Sequence, residues 1–393
     1  MTSPDRPPGD VPVPTRPPDV AVVGAGAIGL SVAWHAARAG LSVAVLDPAL
    51  ASPVPGDADG GASWAAAGML APVSEVHYGE EPLLALNREA AEVWRGFVDE
   101  LQAATGHDVG YRASGTMAVA RDGDDMAVLD DLAEYQAKLG LDVERLRGRE
   151  ARRLEPALSP RIRGGVLVHG DHSVDNRALV VALREAARRA GVDLRAEAVD
   201  RLDEVAAEQV VVATGAATTQ LVPEVAVRPV KGQLLHLRGT TPLASRTLRG
   251  LDAYLVPRAD GRLVVGASVE ERGFDRRVTA GAVHELLRAA RELLPDVDEL
   301  ELTGVAVGLR PGSPDNAPLL GPATTAVTDR RVVVATGHYR NGILLTPLTG
   351  RLIAELLTTG TLPEPARPFS PDRFRATDTS TSTSTSTSEG GRS

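Results

Sequence analysis

An α/β fold with an α+β insert is expected for this chain: a Rossmann-like sheet built from discontinuous segments, beside a second domain with a mainly antiparallel sheet. Three observations carry that expectation. Residues 19–47, DVAVVGAGAIGLSVAWHAARAGLSVAVLD, read as a buried strand, a glycine-rich turn, an amphipathic helix and a second strand. The hexapeptide VVVATG occurs at 210–215 and again at 332–337, each copy reading as a buried parallel strand that ends in a Thr-Gly turn. Between these α/β segments lie stretches with strand and hairpin signals, so the sheet begun at Val20 is completed far downstream.

The glycines of the first stretch have distinct tasks. Gly24 allows a tight turn, Gly26 lets the backbone approach a pyrophosphate, and Gly29 lets the helix pack close on the strand. The N–H groups and dipole at that helix's start then face the phosphate charge. Asp47 follows 23 residues after Gly24, where a carboxylate can bond ribose hydroxyls. In open α/β sheets ligands sit at the carboxyl ends of the strands, so Thr214-Gly215 and the second VVVATG turn face the same crevice. The second turn runs through residues 337–345 into a helix expected to be capped by Thr346, with Pro347 in its first turn.

The remaining elements follow from periodicity and punctuation. After the loop at 48–61, the small residues of Ser63–Leu70 would let backbone lie against something flat, or simply allow tight helix packing. Leu86, Ala90, Val93, Phe97 and Leu101 mark one helix face, and a further helix is expected at 124–139, ended by Gly140. A strand at Gly165–Val168 precedes a helix capped by Asp175 and ended by Gly191. Strands are expected near 193–199, 225–238, 253–258 and 262–268, the last two joined by the hairpin signal Asp260-Gly261. Thr279 caps another helix, stopped by Pro295, and a strand at 301–308 leads into a turn, GLRPG.

Composition narrows the function classes. The 393 residues are 43% hydrophobic, enough for a sizeable core, and the net charge of −10 with no basic run argues against nucleic acid. With no cysteine there is no disulfide, thiolate metal site, Cys nucleophile or cysteinyl-linked cofactor. The eight histidines show no HxxxH-type spacing, so no metal is expected. No apolar run reaches the roughly 18 residues that span a bilayer, and no signal-peptide core opens the chain. A cytoplasmic protein is expected, with no membrane partner.

The interleaving divides the chain into a proline-rich disordered leader (1–18), a nucleotide-binding domain (19–80, 156–224 and 305–365), a substrate domain (81–155 and 225–304) and a disordered low-complexity tail (376–393). An NAD domain is usually contiguous, so the interruption favours FAD.

At this point the motifs resemble a known family. VVGAGAIGLSVAWHAA (22–37), AAAGMLAP (65–72), PVKGQLLHL (229–237), YLVPRADGRLVVGAS (254–268), GLRPGSPDNAPLLG (308–321) and GHYRNGILLTPLTG (337–350) occur in the order found in D-amino-acid-oxidase-like flavoproteins. Most similar are the FAD-dependent glycine oxidases of bacterial thiamine biosynthesis. The resemblance implies non-covalent FAD on Gly24, Gly26, Ala27, Ile28, Gly29 and Asp47, with Ser63, Ala67, Gly68 and Met69 at the pyrophosphate and flavin. It further implies a backbone contact from Val199 to the adenine, and a flavin pyrimidine lined by His338, Tyr339, Arg340, Asn341, Gly342, Ile343 and Leu344. Arg310 matches the arginine that pairs with the substrate carboxylate, Arg340 a second substrate-side arginine, and Tyr254 a tyrosine whose hydroxyl reaches that carboxylate. Close relatives can carry His two residues before this tyrosine, where this chain has Asp252.

The implied reaction is hydride transfer from glycine to FAD, giving an imine, then glyoxylate and ammonia, with electrons passed to O₂. The imine would supply the thiazole of thiamine, linking the enzyme to a thiazole synthase; relatives suggest a homo-oligomer. A sarcosine or D-amino-acid oxidase or dehydrogenase is the alternative on the same scaffold. Read from the residues alone, Arg310 suits this work because a planar guanidinium holds a carboxylate bidentately. Tyr254 could equally be a core tyrosine. Arg340, read as adjoining a helix start, is a cation at the positive end of a dipole, which a nearby anion would explain.

Overall fold

The computed structural model describes residues 16–56 and 61–374. Almost all of the expected leader, the whole low-complexity tail and residues 57–60 of the 48–61 loop lie outside them.

In chain order the first half comprises β1 (Val20–Val23), α1 (Ala27–Arg38), β2 (Val43–Leu46), α2 (Gly61–Ala65), β3 (Met69–Leu70), α3 (Glu81–Thr105), β4 (Thr116–Ala120), α4 (Gly123–Lys138), β5 (Glu144–Arg147), α5 (Gly148–Leu154), β6 (Gly164–Val168), β7 (His172–Ser173) and α6 (Asn176–Arg189). The second half continues with β8 (Asp193–Arg195), β9 (Gln209–Val212), α7 (Thr218–Leu221), β10 (Arg228–Arg238), β11 (Thr247–Arg249), β12 (Tyr254–Pro257), β13 (Arg262–Gly266), α8 (Ala280–Leu293), β14 (Glu301–Gly312), β15 (Leu319–Pro322), β16 (Arg331–Thr336) and α9 (Thr346–Thr359).

Six strands form one sheet in the order β15-β16-β9-β1-β2-β8. All its pairs are parallel except β15–β16, and Val22 stands level with Val45 on one side and Val211 on the other. Covered on both faces, β1, β2 and the Val-Val-Val runs of β9 and β16 are apolar without alternation, as the buried centre of a parallel sheet requires. Helix α1 lies so close to α9 that a Cβ at Gly350 would meet Ser31 Oγ at 2.2 Å, and that hydroxyl donates to the Thr346 carbonyl at 2.9 Å.

The second sheet has eight strands in the order β14-β10-β13-β12-β11-β4-β6-β5, antiparallel except for β11–β4. Two of its members come from outside the segments expected to build it. Strand β6 falls within 156–224 and β14 mainly within 305–365, yet both pair here. Helix α3, expected in the second domain, packs on α6 and α9 and shares the core of the parallel sheet. Strand partners in both sheets thus lie far apart in the chain.

Three local expectations are corrected. Strand β14 does not end at Gly308 but continues through Gly312, with Arg310 opposite Val230 and Pro311 opposite Pro229. The turn signal in GLRPG misleads because β14 is an edge strand, where proline leaves no ladder bond unmade. Thr346 is the first helical residue of α9 rather than its cap, which is Leu345; its hydroxyl instead donates to the Gly342 carbonyl at 2.8 Å. The strand expected at 193–199 stops at Arg195, leaving Val199 beyond it.

Fully buried Trp94 on α3 donates its indole N–H to the Leu344 carbonyl at 2.7 Å, fixing the segment that precedes α9. Trp94→Phe leaves that carbonyl without a donor and is expected to destabilise the fold by about 1–3 kcal/mol, read as a lower denaturation midpoint.

Candidate functional site

A cavity of about 570 Å³ lies where the two sheets meet, within the range that holds small organic ligands. One end is built by the carboxyl ends of the parallel strands, as the topology demands. Gly24 has φ of +111°, and a Cβ there would lie 2.6 Å from the Ala213 carbonyl oxygen. A Cβ at Gly29 would lie 2.0 Å from the Gly24 carbonyl, so the close approach of helix and turn depends on both glycines. Asp47 accepts from Ala25 N at 2.7 Å and from Ala49 N at 2.8 Å, so its carboxylate is anchored beside the turn. Gly26, the cap position of α1, has no side chain to offer, and Ser63 Oγ takes its place by accepting from Ala27 N at 3.0 Å. The twin VVVATG turns are tied together. Thr218 Oγ1 donates to Thr336 Oγ1 at 3.1 Å, and Thr336 Oγ1 in turn donates to the Gly215 carbonyl at 3.0 Å.

The other end is built by the eight-stranded sheet. Arg310 Nη1 donates to the carbonyls of Ser268 (3.1 Å) and Lys231 (3.4 Å), and no carboxylate among the described residues pairs with it. Its guanidinium lies across Gly232 of β10, where a Cβ would come within 2.5–2.7 Å of it. Tyr254 crosses its cross-strand partner Gly266 in the same way, with 2.4 Å between its hydroxyl and the missing Cβ. Burial raises the Tyr254 phenol above its ordinary range, with the Arg310 charge opposing, so the hydroxyl stays a donor at neutral pH.

Of the expected site residues, Gly24, Gly26, Ile28, Asp47, Ser63, Ala67, Gly68, Met69, Thr214, Gly215, Tyr254, Arg310 and His338 through Ile343 line this one cavity. Ala27, Gly29, Leu344 and Val199 do not. The first two support the turn from behind, Leu344 is buried with its carbonyl on Trp94, and Val199 packs against the core under the sheet's other face. Arg340 stands six residues before α9, so no helix dipole opposes it; it is exposed, with Nη1 3.2 Å from His77 Nε2.

Sequence reasoning missed an ion pair between Glu75 and Arg249 on the cavity wall, Arg249 being the cross-strand neighbour of Tyr254. It also missed Gly232 and Gly266, although an isolated glycine inside a strand pattern signals close approach. Asp252 stands at the rim and accepts from Arg121 at 2.8 Å. No group of three His, Cys, Asp or Glu able to hold a metal occurs among the described residues, and no helix there is long and apolar enough to cross a membrane.

His338 is buried, its Nε2 3.0 Å from Thr349 Oγ1, and burial pushes its pKa down to about 3. The ring is therefore neutral at working pH and is no proton shuttle. Because the folded value lies below the ordinary one of about 6.5, its contribution to stability is intact above that pH and is lost as pH falls toward 3. The expected loss is about 2 kcal/mol at pH 5. Urea midpoints at several pH values check this, with His338→Gln showing a flatter profile.

The comparisons with known proteins agree with this geometry. A family model described as FAD dependent oxidoreductase matches residues 19–356. The glycine oxidase of Geobacillus kaustophilus is 34% identical over 359 residues, covering 86% of this chain and 92% of that protein. The crystal structure of the glycine oxidase from that organism matches with a TM-score of 0.83 at 34% identity, over 91% of this chain and 99% of that one. A bifunctional protein ThiO/ThiG of Synechocystis is also 34% identical, over 91% of this chain but 54% of its own length. With the family model spanning nearly the whole described fold, and the glycine cradle in the place its cofactor requires, this chain belongs to the FAD dependent oxidoreductase family.

Proposed function

We propose that the chain is an FAD-dependent glycine oxidase. The observation that carries the reading is Arg310, a half-buried guanidinium on the cavity wall, held by two carbonyls and free of any carboxylate among the described residues. A cation placed so, with a phenol donor beside it, is complementary to the carboxylate of a small amino acid.

The cofactor fits the cavity on the structure's own terms. Gly24, Gly26 and Gly215 leave bare backbone at the strand ends, Asp47 and Ser63 flank the turn, and Ala67, Gly68 and Met69 offer a wall of little relief. These residues, with Asn341, Gly342 and Ile343, would hold FAD. Bound there, FAD would accept a hydride from the α-carbon of the amino acid and deliver the electrons to O₂, the imine being hydrolysed to glyoxylate and ammonia.

The chain's own part is positioning. Arg310 fixes the carboxylate through two parallel bonds, which sets the direction of the α-carbon. Tyr254 donates a further bond from β12, on the far side of β10 and β13 in the same sheet. The bare backbone of Gly232 and Gly266 lets both side chains lie flat against the sheet, leaving the cavity open in front of them. No side chain is assigned to take a proton.

The ThiO/ThiG relative supports the further proposal that the imine serves thiazole formation in thiamine biosynthesis. A cytoplasmic homo-oligomer is part of the same proposal, and light scattering tests the assembly. The deciding measurement is oxygen consumption by flavin-loaded protein with glycine, sarcosine, D-alanine and D-proline. Glycine-dependent H₂O₂ is expected. No H₂O₂ from glycine, together with robust dye-coupled oxidation of a D-amino acid, would move the chain to the D-amino-acid reading.

A further inference from the structure

One heavily desolvated cation near the cavity has been given no task above. Arg258 follows β12 and is only 4% exposed. Its Nη2 donates to the Ala67 carbonyl at 2.7 Å and to Asn176 Oδ1 at 3.2 Å, while Nε and Nη1 are buried without a hydrogen-bond partner among the described residues. No ion pair of Arg258 occurs among the described residues. The nearest opposing charge, Asp175, is engaged elsewhere. Its Oδ2 takes Arg262 at 2.6 Å and its Oδ1 caps α6. Burial lowers the Arg258 pKa to about 10, with Asp175 acting against the shift, so the group remains a cation.

Its position is specific. Asn176, which accepts from Arg258, donates its amide to the carbonyls of Ser63 and Trp64, both at 2.9 Å. Together the two side chains hold the whole 63–68 turn from behind. A Cβ at Gly68 would lie 3.3 Å from Arg258 Nη2, so a single layer of backbone separates the guanidinium from the cavity that Ala67 and Gly68 line. A buried cation without a carboxylate is costly to fold around, and a core of apolar residues would close the same space.

We propose that Arg258 is a positioning residue that clamps the 63–68 turn and makes the bound flavin easier to reduce. The inference rests on FAD occupying the cavity. Reduction adds negative charge to the flavin, and a fixed cation across one layer of backbone, in a medium of low dielectric, stabilises the reduced form over the oxidised one.

The test is the midpoint potential of the holoenzyme, measured by equilibration with a dye of known potential. Arg258→Met is expected to shift the oxidised-to-reduced ratio at least tenfold toward oxidised flavin, about 30 mV for a two-electron couple. Arg258→Lys keeps the charge and is expected to restore most of the potential while losing the clamp, seen as weaker FAD retention. Asp175→Asn preserves a good helix cap and removes the opposing charge, so it is expected to move the potential the other way. An Arg258→Met holoenzyme at the wild-type potential overturns the proposal. Should that variant hold no flavin, an unchanged potential in Asp175→Asn does the same. Wild-type protein that binds no flavin fails the FAD reading instead, which is a separate result.

Discussion

Arg310→Ala is expected to weaken binding of a carboxylate inhibitor by a hundredfold or more. Each charge-assisted bond is worth about 1.5–3 kcal/mol, and two are lost together. The loss should fall on the affinity for every carboxylate ligand tested, read by titrating the flavin absorbance with a simple acid analogue. Arg310→Lys is expected to recover little. An ammonium presents no planar fork, and the guanidinium here is shaped to lie flat over Gly232 while two carbonyls hold one end of it. Wild-type inhibitor affinity in Arg310→Ala would remove this residue from the site.

Gly68→Ala is expected to produce protein that loses its flavin on purification and melts several degrees lower. Gly68 has φ of +76°, and an added Cβ would lie 1.9 Å from the Val174 carbonyl oxygen. Left-handed backbone at a residue with a side chain costs about 1–2 kcal/mol. Forcing a group into packed space costs about 1–3 kcal/mol more. The backbone cannot yield cheaply, because Val174 N donates to the Gly68 carbonyl at 2.8 Å and Arg258 holds the adjoining Ala67. Gly281→Ala is the control: that glycine sits in α8 with nothing within 4 Å of the added carbon, so it should be neutral or mildly stabilising. Flavin absorbance per mole of protein and thermal melts separate the two variants.

Much of the fold was legible because its signals are local. Val20–Asp47 carries strand, turn, helix and acid within one βαβ unit, and the VVVATG copies announce their own strand ends. The caps Asp175 and Thr279 stand where the chain punctuates its helices. Arg310 was singled out for its motif but read into a turn rather than a strand, since glycine and proline read as punctuation unless one knows that the strand is an edge. The Glu75–Arg249 pair could not be seen at all, its partners being 174 positions apart with nothing periodic between them. Val199 shows the converse: a residue matched by motif alignment that the strand's early end leaves off the cavity wall.

The order in which the sheets take their strands has a consequence for how the molecule comes to exist. From the N-terminus the chain visits the parallel sheet, crosses to the antiparallel one for β4 through β6, returns for β8 and β9, crosses again for β10 through β14, and returns for β15 and β16. Strand β16 stands next to β9 and so closes a flank of the cofactor crevice, yet it ends only at Thr336. Neither sheet is therefore a unit that a growing polypeptide can finish early. Apolar strand edges stay open until almost the whole chain has been made, which lengthens the interval in which they can pair wrongly. Cofactor capture is the step that follows this closure, and excess FAD during refolding should raise the yield of native enzyme.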